Sequence, residues 1–215
     1  MGILRKIILL MLLTGIFSVG LGNAATYISR DSCMSIAASY YYATWTAVSG
    51  NGNSTYNYYT TGMITQGLPY NWGGWQTVSK VYSVLASGAV AGDGKIFSST
   101  HSDFAGNDCS GYVSRCWITS TKNSTSTIPS ISSTLNYADL YRGDVTDYAG
   151  SHVRLFDYFS SGTNYLMSFE CTTGERPGRV THRILARDNN YVPMRYKYIT
   201  PFNPPTSVDD WCLYN

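Results

Sequence analysis

NDCSGYVSRCW, residues 107–117, decides how the rest of the chain is read. Asp108 is a residue type whose carboxylate caps helix N-termini. Val113 and Trp117 fall on one face with Cys109 and Cys116, which is the pattern of a helix with one apolar side. The stretch therefore predicts a helix from Asp108 to about residue 118. Cys109 lies in its first turn, where unpaired backbone N–H groups and the positive dipole end favour a thiolate. Gly111 removes bulk beside the cysteine, leaving room for a substrate backbone. Cys116, two turns further on, reads as a core thiol or half of a disulfide.

A chain of 215 residues suits one domain with a proper core. It opens with a short basic start, MGILRK, followed by the uncharged apolar run IILLMLLTGIFSVGLG and small residues around Ala24 and Ala25. That order is the signature of a secretory signal peptide. The apolar run is short for a bilayer span of about 20 residues, which argues against a retained anchor. No cysteine follows it directly for lipid attachment. The expectation is a signal peptide over residues 1–24 and one domain over 25–215, secreted or periplasmic, with no stable membrane insertion after cleavage.

Disulfides survive outside the cytoplasm, yet the five cysteines are an odd number. If Cys109 stays free, Cys33, Cys116, Cys171 and Cys212 form two disulfides in one of three connectivities, among which the sequence does not choose. Pairing Cys33 with Cys212 would tie the chain ends to the core. A net charge of +2 argues for neither nucleic acid nor an anionic surface as partner. Nineteen tyrosines among few charges suit carbohydrate or cell-wall contact.

Along the chain, RDSCMSIAASYYYATWTAV (30–48) reads as a helix capped by Asp31 or Ser32, with Trp45 in the core. PYNWGGW (69–75) is a loop dense in glycine and aromatics, and TVSKVYSVLASG is a short helix ending at Gly88. After the turn Arg142-Gly143-Asp144 come the strands HVRLFDYF, NYLMSFECT and YVPMRYKYI, separated in hairpin fashion by SSGT and DNN. Helices first and an antiparallel sheet afterwards give an α+β domain. The proline-rich tail PFNPPTSVDDWCLYN reads as a surface wrap.

A nucleophilic thiol needs a base and a group to hold that base. Of three histidines, His152 starts a strand just after a turn, while His101 lies in an irregular serine-rich segment and His182 in a basic one, THRILAR. The histidines show no metal-ligand spacing, and no cofactor is expected. In NYLMSFEC, Leu166, Ser168 and Glu170 share one face, and Glu170 is its one acid. An acid among apolar neighbours is costly without a partner, and a histidinium is such a partner; Arg154 is the competing one. Cys171 then points to the opposite face. The sequons at Asn53 and Asn123 carry meaning only in a eukaryotic chain.

The ordered set YNWGG (70–74), DCSG (108–111), RGD (142–144), HV (152–153) and a polar residue ending the next strand resembles the NlpC/P60 family of cysteine peptidases and amidases. The resemblance spans about residues 66–171 and implies a papain-like α+β core acting on amide bonds, most often in peptidoglycan stem peptides. It implies Cys109 as nucleophile, His152 as general base and Glu170 at the third catalytic position, where the family often has histidine. Tyr70 would shape the oxyanion site and Trp72 contact substrate. Asp108 and Ser110 match positions that help hold the amine of a stem peptide. Residues 75–107 form a longer insert than the family usually carries. The competing expectations are an amidase on another substrate and a secreted binding module that keeps the fold without turnover.

Overall fold

The computed structural model describes residues 27–52, 59–92 and 102–200. The segment expected as a signal peptide, Asn53, His101 and Cys212, as well as the proline-rich tail, lie outside the described residues.

The first helix, α1 (Arg30–Tyr41), is capped by the Ser29 hydroxyl, which accepts the Ser32 N–H. Cys33, Met34, Ala37 and Tyr40 recur at helical spacing and form its buried stripe. The helix is shorter than expected, and neither Asp31 nor Ser32 caps it. Thr44, Trp45 and Thr46, β-branched and aromatic, prefer extended backbone and form β1 (Thr44–Thr46), which pairs antiparallel with β2 (Ile64–Gln66). Trp45 is in the core as expected, against Tyr59.

Helix α2 (Val78–Ala86) starts at the Thr77 cap and gives way at Gly88, whose φ of 85° is left-handed. Strands β3 (Val90–Ala91) and β4 (Phe104–Ala105) then pair in parallel. The segment expected as an insert is thus partly regular, and it returns the chain to the 69–75 loop before α3 (Cys109–Cys116) begins.

The second half is a six-stranded antiparallel sheet. Its strands are β5 (Ser132–Thr134), β6 (Val145–Tyr148), β7 (His152–Ser161), β8 (Tyr165–Thr172), β9 (Arg179–Ala186) and β10 (Val192–Tyr196), in the order β5-β10-β6-β7-β8-β9. The α+β expectation holds. DNN, however, does not close a hairpin, because β9 is an edge strand and β10 lies between β5 and β6. THRILAR, read as a basic stretch, is the body of β9. Charged side chains are what an edge strand needs to resist pairing with another chain.

Residues 155 and 156 point to opposite faces of β7. On the Leu155 face, α3 covers the sheet, packing Tyr112, Val113, Cys116 and Trp117 with Val145, Val153, Phe169 and Cys171. On the Phe156 face a smaller cluster joins Leu166, Tyr137 and Leu140. Asp144 pins the turn before β6. Fully buried, its carboxylate accepts from Arg30 at 2.9 Å, Arg195 at 2.8 Å and the Tyr141 N–H at 2.9 Å. One carboxylate thereby joins the start of α1, the turn and β10.

The four described cysteines, Cys33, Cys109, Cys116 and Cys171, are buried free thiols. The expected bridges are therefore absent among them. Cys171 does point to the α3 side as expected, where its thiol donates to the Asn107 carbonyl at 3.0 Å.

Asp147 on β6 is 1% exposed, lies opposite Val153 and Val192, and neither carboxylate oxygen has a hydrogen-bond partner. Burial pushes its pKa up to about 7. A folded-state value above the unfolded ~3.9 means that Asp147 costs stability progressively as pH rises from about 4 to about 7. Asp147→Asn should therefore raise the Tm at pH 8 and change it little at pH 4. Melting curves showing the same change at both values would contradict this.

Candidate active site

The site is built around the start of α3. The Asp108 carboxylate accepts the Gly111 N–H at 2.6 Å and the Ser110 hydroxyl at 3.1 Å through one oxygen. Through the other it accepts the Gly73 N–H at 3.0 Å and pairs with the Lys122 ammonium at 2.8 Å. The helix cap and the glycine-rich loop are therefore one structure. The loop is fixed further where Asn71 donates to the Asn107 carbonyl at 2.8 Å and Asp108 to the Gly74 carbonyl at 3.1 Å. Buried Gln76 and Asn107 lock the approach, with the Gly106 N–H on Gln76 Oε1 at 3.0 Å and Asn107 Nδ2 on the Gln76 carbonyl at 3.1 Å. A Cβ at residue 111 would strike the Gly74 carbonyl. Gly111 thus makes room for the loop and not for a substrate backbone, which corrects the sequence expectation.

Cys109 is 7% exposed. Burial is the largest influence on its thiol and, with the Asp108 charge beside it, pushes the pKa up to about 12. Hydrogen bonds from the Val153 and Ser110 backbones, together with the Lys122 charge, pull the other way. The resting group is a neutral thiol, contrary to the thiolate expected from its place on the helix. The Val153 contact also places the sulfur against the residue that follows His152.

His152 opens β7, and its Nε2 lies 2.6 Å from Glu170 Oε2. Glu170 is 1% exposed, inside β8, and its other oxygen accepts Arg183 Nε at 2.6 Å. Arg154 Nε stands at 3.6 Å from Oε2. Burial pushes the Glu170 pKa up, but the His152 hydrogen bond and charge and the Arg183 guanidinium outweigh it and hold the carboxyl below its ordinary range. Glu170 is therefore an anion that fixes the ring, leaving Nδ1 as the nitrogen not taken by the carboxylate. The expected partnership of His152 and Glu170 is present. Arg154, the competing partner, is present as well: it forms a longer ion pair with Glu170 and also stacks over Tyr191, its guanidinium 3.8 Å from the ring centre.

Tyr70 is held by its backbone, donating to the Gly178 carbonyl at 2.8 Å. Burial, then the neighbouring Cys109, Cys171 and Asp108, pushes its hydroxyl pKa far up, so it remains a neutral phenol. Trp72 is 57% exposed and stands on the outside of the loop. Ser110 is buried beside Asp108. His182 belongs elsewhere: it stacks on Phe169 at 3.8 Å, meets Asp157 at 3.0 Å, and helps line an open cavity of about 380 Å³ with Arg142 and Asp31. No group of metal-ligating side chains occurs among the described residues.

Sequence reasoning missed two cations. Arg183 lies opposite Ser168 in the β8–β9 register, diagonal to Glu170; recognising THRILAR as a strand would have found it. Lys122 is the one cation in the polar loop after α3, a signal visible but unused.

A carboxylate whose folded pKa is depressed adds stability above its unfolded value of ~4.3, and that stability is lost as pH falls through the lower folded value. Glu170→Gln should cost ~3–5 kcal/mol at pH 7, the usual result of breaking a buried pair, and much less at pH 3. Urea denaturation at the two pH values checks this, and a cost independent of pH would contradict it. No known protein family, curated protein or solved structure matches this chain.

Proposed function

We propose that the chain is a secreted cysteine hydrolase of papain-like, NlpC/P60 type that cleaves amide bonds in peptidoglycan stem peptides. The observations that carry this reading are the 2.6 Å His152–Glu170 pair and a cysteine in the first turn of a capped helix whose sulfur meets the backbone of Val153, the residue after His152. A buried anion holding a histidine by Nε2 is the arrangement that orients a general base. The leader sequence, the tyrosine-rich composition and the ordered motifs favour a wall substrate.

Because the resting thiol is neutral, its proton passes to His152 Nδ1 as the sulfur attacks the amide carbonyl. Glu170, already anionic, stabilises the imidazolium and keeps the Nε2 proton in place. The oxyanion is met by the Cys109 backbone N–H, with the neutral Tyr70 hydroxyl as a second donor. His152 then protonates the leaving amine, and in the second half it takes a proton from the water that hydrolyses the acyl-enzyme. No cofactor enters these steps. The deep burial of Cys109 favours one second reading, a secreted binding module on the same fold.

The test is incubation with purified peptidoglycan and soluble muropeptides, with products read by mass spectrometry. The expected result is peptide-bond cleavage that Cys109→Ala abolishes and His152→Ala slows by ~10²–10⁴. A folded wild-type protein that cleaves neither muropeptides nor a panel of simple acyl amides would leave the binding module in its place.

A further inference from the structure

The cavity of about 380 Å³ beside His182 gathers charged groups that the candidate active site leaves unused. Asp31, Met34, Ser35 and Ala38 share one face of α1 and line it from the helix, while Arg142, Asp157, Phe169 and His182 line it from the turn and the sheet. Phe169 and His182 are partners in the β8–β9 register, and the next residues in sequence are Glu170 and Arg183. Successive strand residues point to opposite faces, so the cavity and the His152–Glu170 pair lie on opposite sides of the sheet.

Arg142 marks the cavity as a site. A guanidinium has five donors, yet that of Arg142 makes no hydrogen bond among the described residues. Its Nε is buried without a partner and stands 3.9 Å from Asp157 Oδ1, and its Nη1 is 3.7 Å from Asp31 Oδ1. Both separations exceed hydrogen-bond reach. Ion pairs elsewhere in this fold close fully, Asp144 meeting Arg195 at 2.8 Å and Arg30 at 2.9 Å. Asp157 is only 15% exposed, and its Oδ2 is taken by His182 at 3.0 Å, which leaves Oδ1 as an acceptor with no donor among the described residues. His182, stacked on Phe169 at 3.8 Å, fixes that carboxylate in place. A planar donor fork and a carboxylate oxygen thus stand side by side, each unsatisfied by the other. Buried Met34 and Phe169, with Ala38, add an apolar lining.

We propose that this cavity binds a free, zwitterionic amino acid with an apolar side chain. The ligand carboxylate accepts from the Arg142 guanidinium, whose fork matches it. The ligand ammonium donates to Asp157 Oδ1, with exposed Asp31 adding negative charge on the solvent side. An α-amino acid carries both charges on one carbon, as a cation and an anion placed side by side require. A simple anion would face Asp31 and Asp157, and a simple cation would face Arg142; like charges in a sheltered setting are costly. The ligand side chain rests on Met34, Ala38 and Phe169. The volume falls within the ~300–1,000 Å³ of small-molecule sites. The assignment is independent of the hydrolase reading, because none of these residues takes part in it.

The test is isothermal titration calorimetry with both enantiomers of leucine, with glycine, and with two analogues that keep the leucine side chain and one charge each, 4-methylpentanoate and isopentylamine. At least one enantiomer of leucine should bind one-to-one, and glycine and both analogues should bind at least ~tenfold more weakly than it does. Arg142→Gln should weaken leucine binding by at least ~tenfold, while Cys109→Ala should leave it unchanged. Circular dichroism checks that Arg142→Gln folds. If it does not, Ser35→Leu, at an exposed helix position lining the cavity, is the blocking variant and should weaken leucine binding in its place. Absence of saturable binding by either enantiomer overturns the proposal. So do single-charge analogues that bind as tightly as leucine, or an Arg142→Gln protein that binds like the wild type. Loss of leucine binding in Cys109→Ala would move the ligand to the other site and overturn it as well.

Discussion

The Asp108 carboxylate is the interaction on which the site depends. It starts α3 by accepting the Gly111 N–H, holds the glycine-rich loop through Gly73 and receives the Lys122 ammonium. Each bond fixes a different segment relative to Cys109. Replacing it would leave an uncapped helix, costing ~1 kcal/mol, and a sheltered lysine that has lost its carboxylate. The loop glycines follow from the same constraint, because the Gly74 carbonyl occupies the space where a side chain at residue 111 would lie.

Burial and the helix dipole compete at Cys109, and their magnitudes decide the outcome. A helix N-terminus favours an anion by ~0.3–1 kcal/mol. The rise of the thiol from its ordinary 9.0 to about 12 corresponds to ~4 kcal/mol. Burial wins, and it is the packing of α3 on β7 and β8 that imposes it. A neutral thiol is useful only if a base stands ready, and for this the position of His152 matters more than the dipole. Glu170 supplies the fixed negative charge, and Arg183 secures Glu170 from the edge strand. The edge strand therefore helps fix a histidine two strands away.

Much of this was legible in the sequence. Asp108 as a cap, the helix after it, the main strands and the His152–Glu170 pairing all follow from local residue types and from period-two alternation. The end of α1 was hidden because Tyr41, Tyr42 and Ala43 continue a helical pattern, and only pairing with β2 turns Thr44–Thr46 into a strand. Strand β9 was hidden because its charges mask the alternation, and with it Arg183. The neutral state of Cys109 was not readable at all: it depends on burial against strands β7 and β8, whose Val153 and Cys171 lie more than forty residues away in sequence. Nor could a sequence show that Lys122 returns to Asp108.

The most direct measurement is the iodoacetamide alkylation rate of Cys109 against pH, mapped by peptide mass spectrometry, in the wild type and in His152→Ala. If His152 takes the thiol proton, the wild type reacts at markedly lower pH than the variant, in which burial and the Asp108 charge alone govern the thiol. Superimposable profiles would mean that His152 does not serve Cys109, and the catalytic account would fail.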